Sequence, residues 1–137
     1  MITDLIGIII WSERPAELAD FYSSKIGLAP VSTHGDFTAF EPHPGFRFSI
    51  GGAHPDVKGI NKDSKRFMLN FLTDDIFADY KRLTEEGVSF IRSPEKESWG
   101  GWVATFLDID GNTLQLMQME PRSVSYTHLT LPTTPYV

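Results

Sequence analysis

Cysteine is absent from the 137 residues, which excludes disulfide frameworks, thiolate metal centres and cysteine nucleophiles. A basic surplus is missing too. Lys and Arg number 12 against 18 Asp and Glu, for a net charge of −6. No basic stripe can therefore neutralise phosphates, and nucleic acid is excluded as a partner. Long apolar runs are lacking as well: "LIGIII", near the start, is far too short to span a bilayer. No basic n-region with a cleavage site is found, so the expectation is a soluble, cytoplasmic protein without a membrane partner. A Ser-His-Asp set, a phosphate-cradling glycine loop and a dinucleotide fingerprint are also missing. The glycine pairs at 51–52 and 100–101 are too short to count as such a loop.

What is present is ordinary for a globular protein, with 41% hydrophobic and 22% charged residues. The length suits one domain with a real core. After Pro121 the text turns into "RSVSYTHLTLPTTPYV", rich in Thr, Ser and Pro and without strand or helix period. "SVSYTHLTLPTT" resembles a translated transposon-type adapter. Residues 123–137, His128 among them, are accordingly expected to be a non-native tail on a single domain of residues 1–122.

Ahead of the tail the order of elements repeats. "LIGIIIW" (5–11) is a β-branched apolar run, read as a buried strand. "SERPAELADFYSSKIG" (12–27) follows as a helix with Ser12 as its cap, Pro15 in its first turn and Gly27 at its stop. Leu18, Phe21, Tyr22 and Ile26 form its apolar face. Short strands near 28–33, 37–41 and 46–50 come next, broken by turn residues. The second half copies this plan: a strand at 66–72, a helix over 74–87 with an Asp cap and Gly87 at its end, then strands near 88–92, 102–107 and 113–118. The fold class is thus α+β. Two βαβββ modules, about 4–50 and 66–119, form a shared curved sheet, joined by the polar linker 51–65.

The stretches "ADFYSSKIGL", "DDIFADYKRLTEEGV", "SWGG" and "FLDIDGNTLQLMQ" resemble the vicinal oxygen chelate (VOC) superfamily, which holds glyoxalase I, bleomycin-resistance proteins and extradiol dioxygenases. The resemblance runs over residues 4–119. It implies the fold strongly and the activity weakly, since the fold serves many chemistries. Enzymes of the family hold one divalent metal with His, Gln or Glu on the first and last strands of each half. The equivalent positions here are Gly7, Arg47, Met68 and Gln115, the last standing where metal-dependent relatives carry Glu. A glycine, a cation, a soft thioether and one neutral amide make a poor donor set for a hard divalent ion. The expectation is therefore no metal and no other cofactor, with a divalent metal implied only if the chain is an enzyme after all.

Strand parity sorts the remaining candidates. In "FRFSI", Phe46, Phe48 and Ile50 share one face while Arg47 and Ser49 share the other. Met68 and Asn70 lie opposite Phe67, Leu69 and Phe71, and Gln115 with Met117 lies opposite Leu114 and Leu116. The apolar faces are expected on the helices and the mixed faces in a cup between the modules. Its expected lining is Trp11, Thr38, Phe40, Arg47, Ser49, Met68, Asn70, Trp102, Gln115 and Met117.

Arg47 has two open roles, a bidentate clamp on a ligand carboxylate or phosphate and a partner to a structural carboxylate. Trp11, Trp99 and Trp102 either wall a flat ligand or pack in the core. His34, His43 and His54 sit in turns or the linker and read as solvated. The acidic pairs at 74–75, 85–86 and 108–110 stand at a helix start, a helix end and a turn, so their expected roles are structural.

The first reading is a metal-independent small-molecule-binding protein that sequesters an amphipathic or anionic ligand. The alternative is a metal-dependent lyase, isomerase or dioxygenase of the same superfamily. A third is an accessory module for protein contacts, with its cleft filled by its own side chains. Proteins of this fold commonly dimerise, and that resemblance is the sole reason to expect a homodimer.

Overall fold

The computed structural model describes residues 1–52 and 54–119; the tail beyond lies outside the described residues, and His128 with it. The chain forms two compact units, one of Met1–Phe67 with Leu107–Thr113, the other of Met68–Phe106 with the described residues from Leu114 on. Both repeat the expected βαβββ order. The first holds β1 (Gly7–Trp11), α1 (Pro15–Asp20), a π-helical continuation (Phe21–Ile26), β2 (Pro30–His34), β3 (Phe37–His43) and β4 (Phe46–Gly51). The second holds β5 (Met68–Leu72), α2 (Ile76–Glu85), β6 (Phe90–Lys96), β7 (Trp102–Leu107) and β8 (Thr113–Gln118). Each unit carries a four-stranded sheet, ordered β1-β4-β3-β2 and β5-β8-β7-β6. In the first, β1 runs parallel to β4 and the other pairs are antiparallel.

The helix ends are built largely as the residue types demand. Pro15 opens α1, but Ser12 is not its cap: the N-cap is Arg14, and the Ser12 hydroxyl accepts the Arg14 N–H at 2.8 Å. Ser12 thus shapes the turn before the helix rather than its first turn. In α2 the Asp75 carboxylate accepts from the Ala78 N–H, and Gln118 adds a second cap by accepting the Ile76 N–H at 2.6 Å. Gly27 and Gly87 close the two helical segments with φ of 93° and 90°, a conformation that other L-residues resist.

The helix-facing side of the first sheet is aromatic. Tyr22 meets Phe48 edge-on at 4.9 Å, and Phe48 meets Phe40 at 6.0 Å. Leu18, Tyr22, Phe40 and Ile50 are fully buried here. Each such side chain stabilises by about 1.5–3 kcal/mol relative to exposure. In the second unit Tyr80 of α2 meets Phe90 at 4.7 Å, Phe90 meets Phe106, and Ile76, Leu83, Leu114 and Phe106 are fully or almost fully buried. Phe67, expected on an apolar strand face, precedes β5 and is 82% exposed.

The D-x-D-G-N turn belongs to the first unit. Asp108, 6% exposed, accepts the Tyr22 O–H at 2.7 Å, the N–H groups of Asp110 and Asn112, and the Asn112 side-chain amide at 2.9 Å. Arg14 ties down the same turn through the Ile109 carbonyl at 2.7 Å and the Asp110 carboxylate at 3.1 Å. Asn61 adds bonds to the Asp110 carbonyl and the Asn112 side chain. The structural reading of residues 108–110 holds.

Burial first, then the Asp108 carboxylate beside it, push the Tyr22 hydroxyl far above the usual tyrosine range. A raised folded-state pKa contributes stability that is complete below the unfolded value near 10 and is lost as pH climbs past it. Tyr22→Phe should cost about 1–2 kcal/mol at neutral pH in chemical denaturation. It should also flatten the decline in stability above pH ~10. A variant that keeps the wild-type alkaline slope would refute the role of this hydroxyl.

Thr113 is buried and its hydroxyl has no hydrogen-bond partner among the described residues. Thr113→Val should therefore stabilise by about 1 kcal/mol, read in the same denaturation series; a loss would mean that the hydroxyl is satisfied in solution.

Candidate functional site

Each sheet packs one face on its helix, and the mixed residues largely take the other, termed the open face, where Ile9, Arg47 and Asn70 are exposed while Ala39, Ser49 and Thr105 on the inner strands are buried. On the first sheet, Gly7, Ile9 and Trp11 of β1 stand beside Arg47, Ser49 and Gly51 of β4 in register. Ala39 stands beside Ser49 on the next strand. Arg47 projects at 53% side-chain exposure, with its Nε donating to Glu41 at 3.1 Å. The Gly45 N–H also donates to Glu41, and this bond foremost, then Arg47, holds the Glu41 carboxyl below its usual range. Of the two roles open for Arg47, the structural pairing is therefore realised, but through Nε.

Trp11 is one-third exposed and sits between Phe37, at 6.3 Å, and His54, at 5.3 Å. The glycine at 51 makes this possible. A Cβ there would lie 2.8 Å from both the Trp11 and Phe37 rings. His54 is exposed, as a linker histidine should be, yet its ring has a partner. His43 stacks on Phe46 at 5.3 Å.

Gly7 is closed in a stricter sense. A Cβ at this position would stand 2.6 Å from the backbone oxygen of Arg47. No side chain fits unless β1 and β4 move apart.

On the second sheet the open face carries a polar row. The Thr105 hydroxyl donates to Gln115 Oε1 at 3.3 Å, and Gln115 Nε2 donates to Asn70 Oδ1 at 2.9 Å. β7, β8 and β5 are neighbouring strands, so the row crosses the sheet from a buried threonine to an exposed edge asparagine. By strand alternation Met68 and Met117 share this face. The partner that a glutamine between two leucines requires is thus two neutral groups of its own sheet.

Three residues expected on the open faces lie on the helix side instead. Phe40 is opposite Phe48 in the β3–β4 register and fully buried, and Thr38 is opposite Ile50. Directly paired residues share a face, so Phe37 and Ala39 take the open side of β3. Trp102 alternates with the buried Val103 and packs edge-on against Phe77 of α2 at 5.0 Å. Trp99 lies across Gly101, where its ring takes the space of a Cβ, so this glycine pair is structural. Thr105 was missed because "WVATFL" is apolar at both parities; Glu41, a candidate metal ligand on the enzyme alternative, instead pairs with Arg47, a role that needs the β3–β4 hairpin to form.

The sequence profile of the Glyoxalase/Bleomycin resistance protein/Dioxygenase superfamily matches residues 5–116. The chain belongs to this superfamily. It is similar to YetH, an uncharacterized protein of Bacillus subtilis (strain 168), at 23% identity over 121 residues, 86% of this chain and all of that one. An uncharacterized protein of Shewanella frigidimarina (strain NCIMB 400) is 36% identical over 62 residues, spanning 45% of this chain and 45% of the relative. Among solved structures, a glyoxalase/bleomycin resistance protein/dioxygenase from Nocardioides superposes with a TM-score of 0.71 at 18% identity, over 88% of this chain and 85% of the other. A superfamily member from Sphaerobacter thermophilus gives 0.66 at 24% identity, over 85% and 98%. These structural likenesses show the fold.

Gly51→Ala should displace the Trp11 ring and cost about 1–3 kcal/mol through overpacking. Tryptophan emission together with the thermal midpoint checks this; unchanged emission would mean that the Trp11–Phe37 arrangement does not depend on Gly51.

Proposed function

We propose that the chain is a metal-independent small-molecule-binding member of the superfamily, of the sequestering type, taking an amphipathic or anionic ligand on its open sheet faces. The observation that carries this reading is the state of the four positions equated with metal ligands. Gly7 is occupied by the Arg47 carbonyl, Arg47 is cationic and paired with Glu41, Met68 is a soft thioether, and Gln115 is bound to Thr105 and Asn70. These residues do not fit a hard divalent ion, which needs several oxygen or imidazole donors. Among the described residues no group of three or more His, Asp or Glu is placed to hold one elsewhere.

The same faces suit an organic ligand. On the first sheet Trp11 and Phe37 supply aromatic surface and the Arg47 guanidinium can meet a carboxylate or phosphate; on the second sheet, taken by itself, the amide row supplies directional hydrogen bonds. Arg47 held from behind by Glu41 is pre-oriented, which lowers the entropy lost when an anion docks. Among the described residues no helix is long and apolar enough to cross a membrane.

A thermal-shift series tests the reading. Chelator-stripped protein, compared with protein given Zn, Ni, Mn, Mg or Fe(II), should show no saturable rise in midpoint. A metal at a hundredfold excess over its Kd would add about 2.7 kcal/mol, so one ion producing such a rise would sink the proposal. Aromatic carboxylates screened in the same format should raise the midpoint, and Arg47→Met should reduce that rise.

A further inference from the structure

The polar row on the second sheet has a direction. Its inner end is the buried Thr105 hydroxyl, whose single proton goes to Gln115 Oε1. The Gln115 amide thus stands with Oε1 toward Thr105 and Nε2 toward Asn70 Oδ1. The Asn70 amide is turned in the same sense, which leaves its Nδ2 hydrogens as the outer end of the chain. Each donor in such a chain polarises the next, so the terminal N–H is a better donor than that of an isolated asparagine. Asn70 lies on the edge strand β5 and is exposed, with Met68 beside it on the same face. A neutral donor flanked by apolar thioether surface suits one oxygen atom on an otherwise apolar molecule.

We infer that Asn70 is a specificity-determining residue which selects ligands presenting an acceptor oxygen, carboxylate or carbonyl, and that Thr105 acts through Gln115 as the positioning residue that sets this preference. The inference rests on the reading of the chain as a small-molecule binder and adds which chemistry it accepts at this sheet. A group that can only donate, such as an ammonium, meets the wrong end of the chain and leaves both donors unpaired.

The test is a titration of the ¹⁵N-labelled full chain, followed through its side-chain amide signals, with phenylacetate, phenylacetamide and benzylamine as probes. Phenylacetate and phenylacetamide should shift the Asn70 side-chain amide saturably, and benzylamine should not. The two acceptor probes separate a carboxylate requirement from a carbonyl one. Asn70→Asp, which puts an acceptor at the outer end, should lose about tenfold in phenylacetate affinity and gain benzylamine binding. Thr105→Val should erase the preference between phenylacetamide and benzylamine without loss of the folded spectrum, and Thr105→Ser should restore it.

Benzylamine preferred by the wild-type protein would overturn the inference, because the chain would then run in the opposite sense. Probe binding that moves the Arg47 Nε signal but not Asn70 would overturn it too, while leaving the small-molecule reading intact. No saturable shift with any probe at any residue would sink both.

Discussion

The hydrogen bond from Tyr22 to Asp108 is the constraint on which most of the first unit depends. It links residues 86 positions apart in sequence. It puts a carboxylate that accepts from four donors against the π-helical segment. Arg14 and Asn61 add further side-chain hydrogen bonds from that unit to the same turn. The ring of Tyr22 also meets Phe48, so one side chain ties the helical segment, the aromatic core and the turn together. A buried acceptor satisfied by several neutral donors specifies geometry more than it adds net stability, because each bond replaces one to water.

Much of the architecture was legible because it is written in local chemistry. Gly27 and Gly87 end helical segments at positive φ, Asp75 caps α2, and β-branched or alternating runs mark the strands. The faces were less legible. Strand alternation says which residues go together, but not which set meets the helix. In "FTAF" aromatic residues occupy both parities, and in "WVATFL" apolar residues do. Phe40 and Trp102 were therefore assigned to the wrong side, while "FRFSI", with its polar residues at one parity, and "LQL", with its glutamine between two leucines, were read correctly. Long-range partners such as Tyr22–Asp108 leave no local trace at all.

The two open faces differ in kind. One is aromatic with a charged rim, built from Trp11, Phe37, Glu41 and Arg47. The other is neutral and polar, built from Thr105, Gln115 and Asn70 between methionines. In the first, Gly51 admits the Trp11 ring and Glu41 accepts from the Arg47 guanidinium; in the second, Thr105 donates to the Gln115 amide.

The close approach at Gly7 makes this residue the spacer of the first sheet. With the Arg47 carbonyl 2.6 Å from where a Cβ would stand, any side chain here, alanine included, requires β1 and β4 to part. The parallel pairing of Gly7–Trp11 with Arg47–Gly51 is therefore drawn tight at its first step by the absence of a single carbon, and the width of the sheet at this end is set by what the residue lacks.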